Sequence, residues 1–166
     1  DEIKESIKNS DVVINLIGIL YETRKQKFMN IHAGIPEAIS KICAQSDVKK
    51  FIQVSAIGAS ENSKSLYQRS KFQGEVNALT NFKNTVIIRP SVVCGTEDNF
   101  TNLFSKLSIL PIIPVVKMNY KFQPILVSDV ADAIIKAIEV KGNHGKIYEI
   151  GGPKIISFGD MVKSIT

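Results

Sequence analysis

Lys49-Lys50-Phe51-Ile52-Gln53-Val54 runs into Ser55-Ala56-Ile57-Gly58, and beyond the polar stretch 59–65 the chain continues Leu66-Tyr67-Gln68-Arg69-Ser70-Lys71-Phe72-Gln73-Gly74-Glu75. A short β-rich run, a turn and a longer helical segment make the first two parts of a strand-helix-strand unit. The helix is expected to reach about Phe82, and Thr85 to Arg89 supplies the next strand, stopped by Pro90. Upstream, Asp11 to Ile17 reads as a buried strand. Phe28 to Ala44 reads as a helix, with Ile31, Ile35, Ala38, Ile39 and Ile42 at helical spacing. Short β-branched runs alternating with helices predict a parallel sheet covered by helices, an α/β fold.

The later chain continues the alternation. Asp98 to Leu107 reads as a helix, and Leu110 to Val116, with Pro111 and Pro114 among aliphatics, as an extended lobe segment that is either a partner surface or, the favoured reading, packed inward. Pro124 to Val127 is a short strand, Ser128 an N-cap, and Asp129 to Val140 an amphipathic helix with Val130, Ala133, Ile134, Ala137 and Ile138 inward. Lys146 to Ile150 is another strand, Gly151-Gly152-Pro153 a turn, and Ser157 the start of a final helix.

At 166 residues, 44% hydrophobic and 22% charged, the chain has the size and make-up of one globular domain. Its net charge of +5 is spread along the sequence without a basic block or interleaved aromatics, so no nucleic-acid partner is expected. The apolar stretch Val12 to Leu20 contains Asn15 and Gly18 and is too short to cross a bilayer, which leaves at most peripheral membrane association. No signal peptide is visible. The opening at Asp1, in what reads as the end of a helix, suggests a fragment or processed product. Cys43 and Cys94 have neither metal spacing nor a disulfide framework, which suits a reducing compartment and two small buried hydrophobes; no metal site is expected.

Chemistry concentrates at Tyr67 and Lys71. Four residues apart on a helix, they share one face. A free phenol, with a pKa of about 10, is a poor base at neutral pH, and a nearby ammonium would lower that value. The same spacing also occurs on solvated helix faces, so the surroundings must decide. His32 and His144 stand far apart without partner motifs and read as surface or loop histidines. Glu97, Asp98 and Asp129 read as helix-start residues, and Arg89 as a structural ion-pair partner.

The ordered set Asn15-Leu16-Ile17-Gly18, Asn30, Tyr67-x-x-x-Lys71, Arg89-Pro90-x-x-x-x-Gly95 and Val127-x-Asp129-Val130-Ala131 resembles the extended short-chain dehydrogenase/reductase superfamily, the NAD-dependent epimerase/dehydratase-like proteins. More narrowly, Gly95-Thr96-Glu97-Asp98-Asn99-Phe100-Thr101-Asn102-Leu103-Phe104, with Gln123-Pro124 further on, is similar to the atypical branch that contains the nucleotide-binding accessory subunit of respiratory complex I and its bacterial relatives. This resemblance implies a Rossmann-like parallel sheet flanked by helices, lacking the first βαβ unit, with a small C-terminal lobe. Residues 1–166 would form one partial NAD(P)-binding domain whose lobe segments lie at about 96–125 and 141–166. It also implies Tyr67, Lys71 and Ser55 as catalytic residues and Asn15, Gly18, Ser55, Tyr67, Lys71, Pro90 and Val93 as cofactor-binding ones. In such sheets ligands bind outside the carboxyl ends of the strands. Gly18 and Gly58 would let the backbone approach a cofactor closely, and either would also serve as a turn. Asn30 matches a helix asparagine linked to a water or a helix distortion, and a plain surface amide also explains it.

Two departures from the pattern matter. The glycine-rich phosphate turn and the ribose-reading residue about 20 positions later have no counterpart here, so the choice between NAD and NADP is not legible and binding by these residues alone is doubtful. The sheet would also expose an inner strand as an edge. Ala56 stands where the family places the hydroxyl that polarises a substrate carbonyl, and Ser55 lies one position early. Losing such a donor costs about 100-fold to 1000-fold in rate. The implied function is therefore a complex I accessory or assembly subunit that holds NAD or NADP with little turnover. An active oxidoreductase or sugar-nucleotide epimerase using Tyr67 and Lys71 is the alternative, and a partial chain without activity of its own is the third reading. Expected partners are the dinucleotide and complex I subunits. The expected location is the bacterial cytoplasm or the mitochondrial matrix side, peripheral to the inner membrane.

Overall fold

A computed structural model describes residues 2–95, 121–157 and 160. In chain order the elements are α1 (Glu2–Lys8), β1 (Val12–Asn15), a π-helical turn (Met29–Gly34), α2 (Ile35–Ala44), β2 (Lys50–Val54), α3 (Leu66–Asn81), β3 (Thr85–Pro90), β4 (Val93–Cys94), β5 (Lys121–Phe122), β6 (Ile125–Leu126), α4 (Val127–Glu139), β7 (Ile147–Ile150) and β8 (Ile156–Ser157). They fall into two compact units, Asp1–Arg89 with Ala133–Glu149 and Pro90–Asp132 with Ile150–Thr166.

The first unit is built on a sheet of order β1-β2-β3-β7. β1 pairs parallel with β2 and β2 with β3, setting Val13 beside Phe51 and Ile52 beside Val86. Phe51, Ile52, Val86, Ile87 and Ile88 are at most 1% exposed, as expected for inner parallel strands buried on both faces. Ile7, Cys43, Val48, Phe51 and Ala78 close one core cluster, so Cys43 is the small buried hydrophobe that its setting suggests. Among the described residues β1 lies at an edge of the sheet, with Ile14 42% exposed. It is shorter than the Asp11 to Ile17 expectation because Asn15 Oδ1 accepts the Ile17 N–H at 3.1 Å and turns the backbone out of the ladder.

Two polar devices fasten this unit. Lys50 Nζ, buried at the start of β2, donates to the carbonyls of Ala137, Ile138 and Val140 at 2.8, 2.7 and 2.8 Å, setting a cation on the carboxyl end of α4. Arg89 holds Glu75 with Nε at 2.9 Å and Nη2 at 2.7 Å, and reaches Glu149 with Nη1 at 3.0 Å. Arg89 is thus a structural ion-pair partner, as its place at the strand end suggests.

In the second unit β4 pairs parallel with β6, and β5 antiparallel with β8. Gln123 and Gly152 exchange two hydrogen bonds, and a Cβ on Gly152 would lie 1.9 Å from the Pro124 carbonyl oxygen, so only glycine fits the turn after β7. α4 begins at Val127, so Ser128 lies inside the first turn and is not the N-cap: strand β6 ends at Leu126 and the chain turns helical at once. Val130, Ile134 and Ala137 are its buried residues. Ser157 Oγ accepts the Asp160 N–H at 3.0 Å, the bond expected of a residue that starts a helix. Cys94 is only partly buried. The expected helix at Asp98 to Leu107, the extended Leu110 to Val116, and Glu97 lie outside the described residues. Among the described residues no helix is long and apolar enough to cross a membrane.

Removing one partner of a buried ion pair strands the other charge, at a cost of about 3–5 kcal/mol, whereas replacing both by apolar residues is often neutral. Urea denaturation of Arg89→Met should therefore show a loss of this order, since Glu75 is 2% exposed. Adding Glu75→Leu should restore much of it.

Candidate functional site

The loops that follow β1 and β2 meet the π-helical turn and α3 within the first unit. Asn15, 1% exposed, donates from Nδ2 to Gln53 Oε1 at 2.8 Å and accepts from Ile17, so its side chain shapes the turn that presents Leu16 to Gly18. Gly18 lies beside Lys71: a Cβ there would sit 3.2 Å from Lys71 Nζ and 3.7 Å from His32 Nε2. Ser55 stays in the ladder through its N–H to the Ile88 carbonyl at 2.7 Å, while its Oγ is buried without a partner among the described residues. Ala56 is half-buried next to it. The turn beyond is tied to α3 by Gly58, at φ +86°, packed on Gln68, and by a Ser63–Gln68 hydrogen bond.

Tyr67, Ser70 and Lys71 come from the first turns of α3. The Tyr67 ring meets His32 edge-on at 5.1 Å and Phe28 at 5.6 Å, and Phe28 stacks on His32 at 5.3 Å. Ser70 Oγ donates to the Tyr67 carbonyl at 2.7 Å and lies 2.9 Å from His32 Nδ1. Its only proton is thus engaged, and His32 Nδ1 must carry the hydrogen of that contact. Nε2 is then the acceptor of the Ile19 N–H at 3.0 Å, which fixes His32 as a neutral imidazole. Reading His32 as a surface histidine is therefore wrong: it is 2% exposed. The signal lay in His32, Pro36, Ser40 and Cys43, a small and polar stripe at helical spacing that forms the buried face, while Ile31, Ile35, Ile39 and Ile42 are only partly buried. Asn30 is exposed within the π-helical turn, so a helix distortion does occur at that position. His144 is exposed.

Burial sets the protonation states. It pulls the Lys71 ammonium down to about 8, opposed by the charge of Glu75. It pulls His32 down to about 4, helped by the neighbouring Lys71 charge. It raises Tyr67 above the ordinary phenol value. The expectation that Lys71 lowers the phenol pKa is not met: desolvation of the phenolate dominates. Both Glu75 oxygens are taken by Arg89, leaving the Lys71 ammonium without an ion pair among the described residues. A buried ammonium beside a glycine backbone fits a ligand rich in hydroxyl acceptors and donors, as the ribose end of a dinucleotide is. Pro90 and Val93 belong to the second unit, where Pro90 is buried and Val93 opens β4.

Because the folded pKa of His32 lies below the unfolded value of 6.5, its contribution to stability is complete above about pH 6.5 and is lost as pH falls toward 4. Thermal melts across that window should show the wild-type protein losing stability more steeply than His32→Phe. Equal slopes would mean the imidazole is not held neutral.

A model of the NAD dependent epimerase/dehydratase family matches residues 1–151. The chain is 36% identical over 167 residues to the mitochondrial NADH dehydrogenase (ubiquinone) 1 alpha subcomplex subunit 9 of Mus musculus, covering 99% of this chain and 44% of that protein. It is 32% identical over 163 residues to the mitochondrial NADH-ubiquinone oxidoreductase 40 kDa subunit of Neurospora crassa, covering 98% and 43%. The chain thus spans less than half the length of these relatives. Its backbone is similar to UDP-glucuronic acid 4-epimerase from Bacillus cereus, with a TM-score of 0.81 at 20% identity over 99% of this chain and 61% of that one. It is also similar to a dTDP-4-dehydrorhamnose reductase from Clostridium acetobutylicum, with a TM-score of 0.80 at 19% identity over 98% and 64%. At such identities the likeness concerns the fold, the Rossmann-like α/β sheet. By the family model that covers most of its length, the chain belongs to the NAD dependent epimerase/dehydratase family.

Proposed function

We propose that the chain is the sheet-and-site portion of a nucleotide-holding accessory subunit of the respiratory complex I type, one that binds NAD or NADP and turns it over little. The observation that carries this reading is a buried Lys71 ammonium beside Gly18, without an ion pair among the described residues, together with a Tyr67 phenol whose pKa burial raises. The ammonium supplies a donor for ribose hydroxyls, whereas a phenol raised above its ordinary value is a poor proton acceptor at neutral pH. Ala56, in the place of a carbonyl-polarising hydroxyl, points the same way. The relatives' names supply the assembly: they are subunits of NADH:ubiquinone oxidoreductases of mitochondria. In this reading the chain works with other complex I subunits, on the mitochondrial matrix side or its bacterial cytoplasmic equivalent.

In the site, Lys71 and Tyr67 would hold the nicotinamide ribose, Gly18 would allow its close approach, and Ser55 would face the nicotinamide end. Asn15 would act through the turn it shapes. When bound, the nicotinamide supplies hydride chemistry. One observation favours the second reading, an oxidoreductase or sugar-nucleotide epimerase: the orphan Ser55 Oγ at the end of β2 could donate to a substrate oxygen in place of the absent hydroxyl. Tyr67 would then have to exchange its proton with the substrate while Lys71 stays charged.

Fluorescence titration of the full-length protein with NADH and NADPH tests the proposal, alongside turnover assays with UDP-glucuronic acid, UDP-glucose and a short-chain quinone. Binding without turnover is expected, and Tyr67→Phe should weaken affinity by about threefold to tenfold, the scale of one lost neutral hydrogen bond. Turnover abolished by Tyr67→Phe would overturn the holding role. Lys71→Met should weaken binding about tenfold or more, the scale of a lost charged hydrogen bond. Wild-type affinity should fall as pH rises through about 8, where the ammonium loses its proton.

A further inference from the structure

We infer that His32 is a positioning residue that locks the backbone after β1 to the helix carrying Tyr67 and Lys71, so that Gly18 and the Lys71 ammonium keep a fixed approach. This rests on the nucleotide-holding reading of that site and adds to it the group that sets its geometry. The lock has two bonds at opposite ends of one ring: Nε2 accepts the Ile19 N–H at 3.0 Å, and Nδ1–H donates to Ser70 Oγ at 2.9 Å. Ser70 in turn donates to the Tyr67 carbonyl at 2.7 Å, so a single chain of hydrogen bonds runs from the residue after Gly18 to the turn that bears the phenol. The ring packs against both Phe28 and Tyr67, which fix its plane, and a flip within that plane would break both hydrogen bonds. The same two atoms, Lys71 Nζ and His32 Nε2, are the nearest neighbours of the space a Gly18 side chain would fill, so the lock borders the proposed ribose contact directly.

The lock works only with a neutral ring. A proton on Nε2 would replace its acceptor with a donor facing the Ile19 N–H, releasing the loop. The titratable groups packed on the ring are Tyr67 and Lys71, both from α3; the segment 15–19 and Phe28 offer only amides and apolar side chains. Among the described residues the charge facing it is thus the Lys71 ammonium, which opposes protonation, and the geometry keeps lock and ammonium in place together at neutral pH.

The test uses the full-length protein, with NADH and NADPH as probes. His32→Phe keeps the aromatic packing and removes both bonds. Its dissociation constants should rise about tenfold at pH 7, and His32→Gln, which can return an acceptor to the Ile19 N–H, should recover most of that loss. Ser70→Ala, a milder change, serves if His32→Phe does not fold, with a smaller rise expected. In parallel, nitrogen NMR of the ring should find the proton on Nδ1 at neutral pH, with the Ile19 amide and Lys71 signals moving together as His32 titrates on acidification. Wild-type affinity in both His32→Phe and Ser70→Ala would overturn the positioning role while leaving the nucleotide-holding role standing. If the wild-type protein binds neither nucleotide, the NMR arm decides alone: concerted movement supports the lock, and an Ile19 amide indifferent to His32 ionisation overturns it.

Discussion

The close approach of α3 to the π-helical turn is the contact on which this site depends. A Cβ on Gly74 would lie 1.9 Å from the His32 carbonyl oxygen, so the two segments meet at a distance that only glycine allows. Asn77 Nδ2 reinforces the contact by donating to the Ala33 carbonyl at 3.2 Å. One turn earlier, on the same face of α3, Ser70 reaches the His32 ring and Lys71 reaches Gly18. Backbone packing thus places the polar constellation, and that constellation in turn organises the loop after β1.

Burial is the second consequence of that approach, and it decides the chemistry. Drawing a lysine, a histidine and a tyrosine into one low-dielectric corner favours the neutral form of each. The lysine remains mostly charged at neutral pH because its value falls only to about 8. The histidine becomes a fixed hydrogen-bonding part, and the tyrosine a reluctant acid. In the proposed reading, a site tuned in this way holds a hydroxyl-rich ligand and abstracts protons poorly, which would separate a nucleotide holder from a dehydrogenase with the same two residues in the same helix.

Much of the architecture was legible from residue order. β2, β3 and α4 lie within a few residues of the reading because their apolar residues are dense and regularly spaced, and α3 because it fills the polar span between two clear strands. The pairing role of Arg89 followed from its position at a strand end. His32 was missed because aliphatic spacing pointed to the Ile31, Ile35 and Ile39 face as the buried one. The π-helical turn and the glycine contact instead press the face carrying His32, Pro36 and Ser40 against the neighbouring helix, where small side chains are needed. The protonation state of Tyr67 was misjudged for a related reason: spacing shows that an ammonium is near, but not how much solvent both groups lose.

Tyrosine ionisation measures the central claim most directly. In full-length protein whose other tyrosines are replaced by phenylalanine, with NADH bound, carbon NMR of the remaining Tyr67 phenol should show it protonated up to and beyond the ordinary value of about 10. A phenol that ionises near neutral pH would contradict the account, because the pair would then be poised as a proton-transfer catalyst.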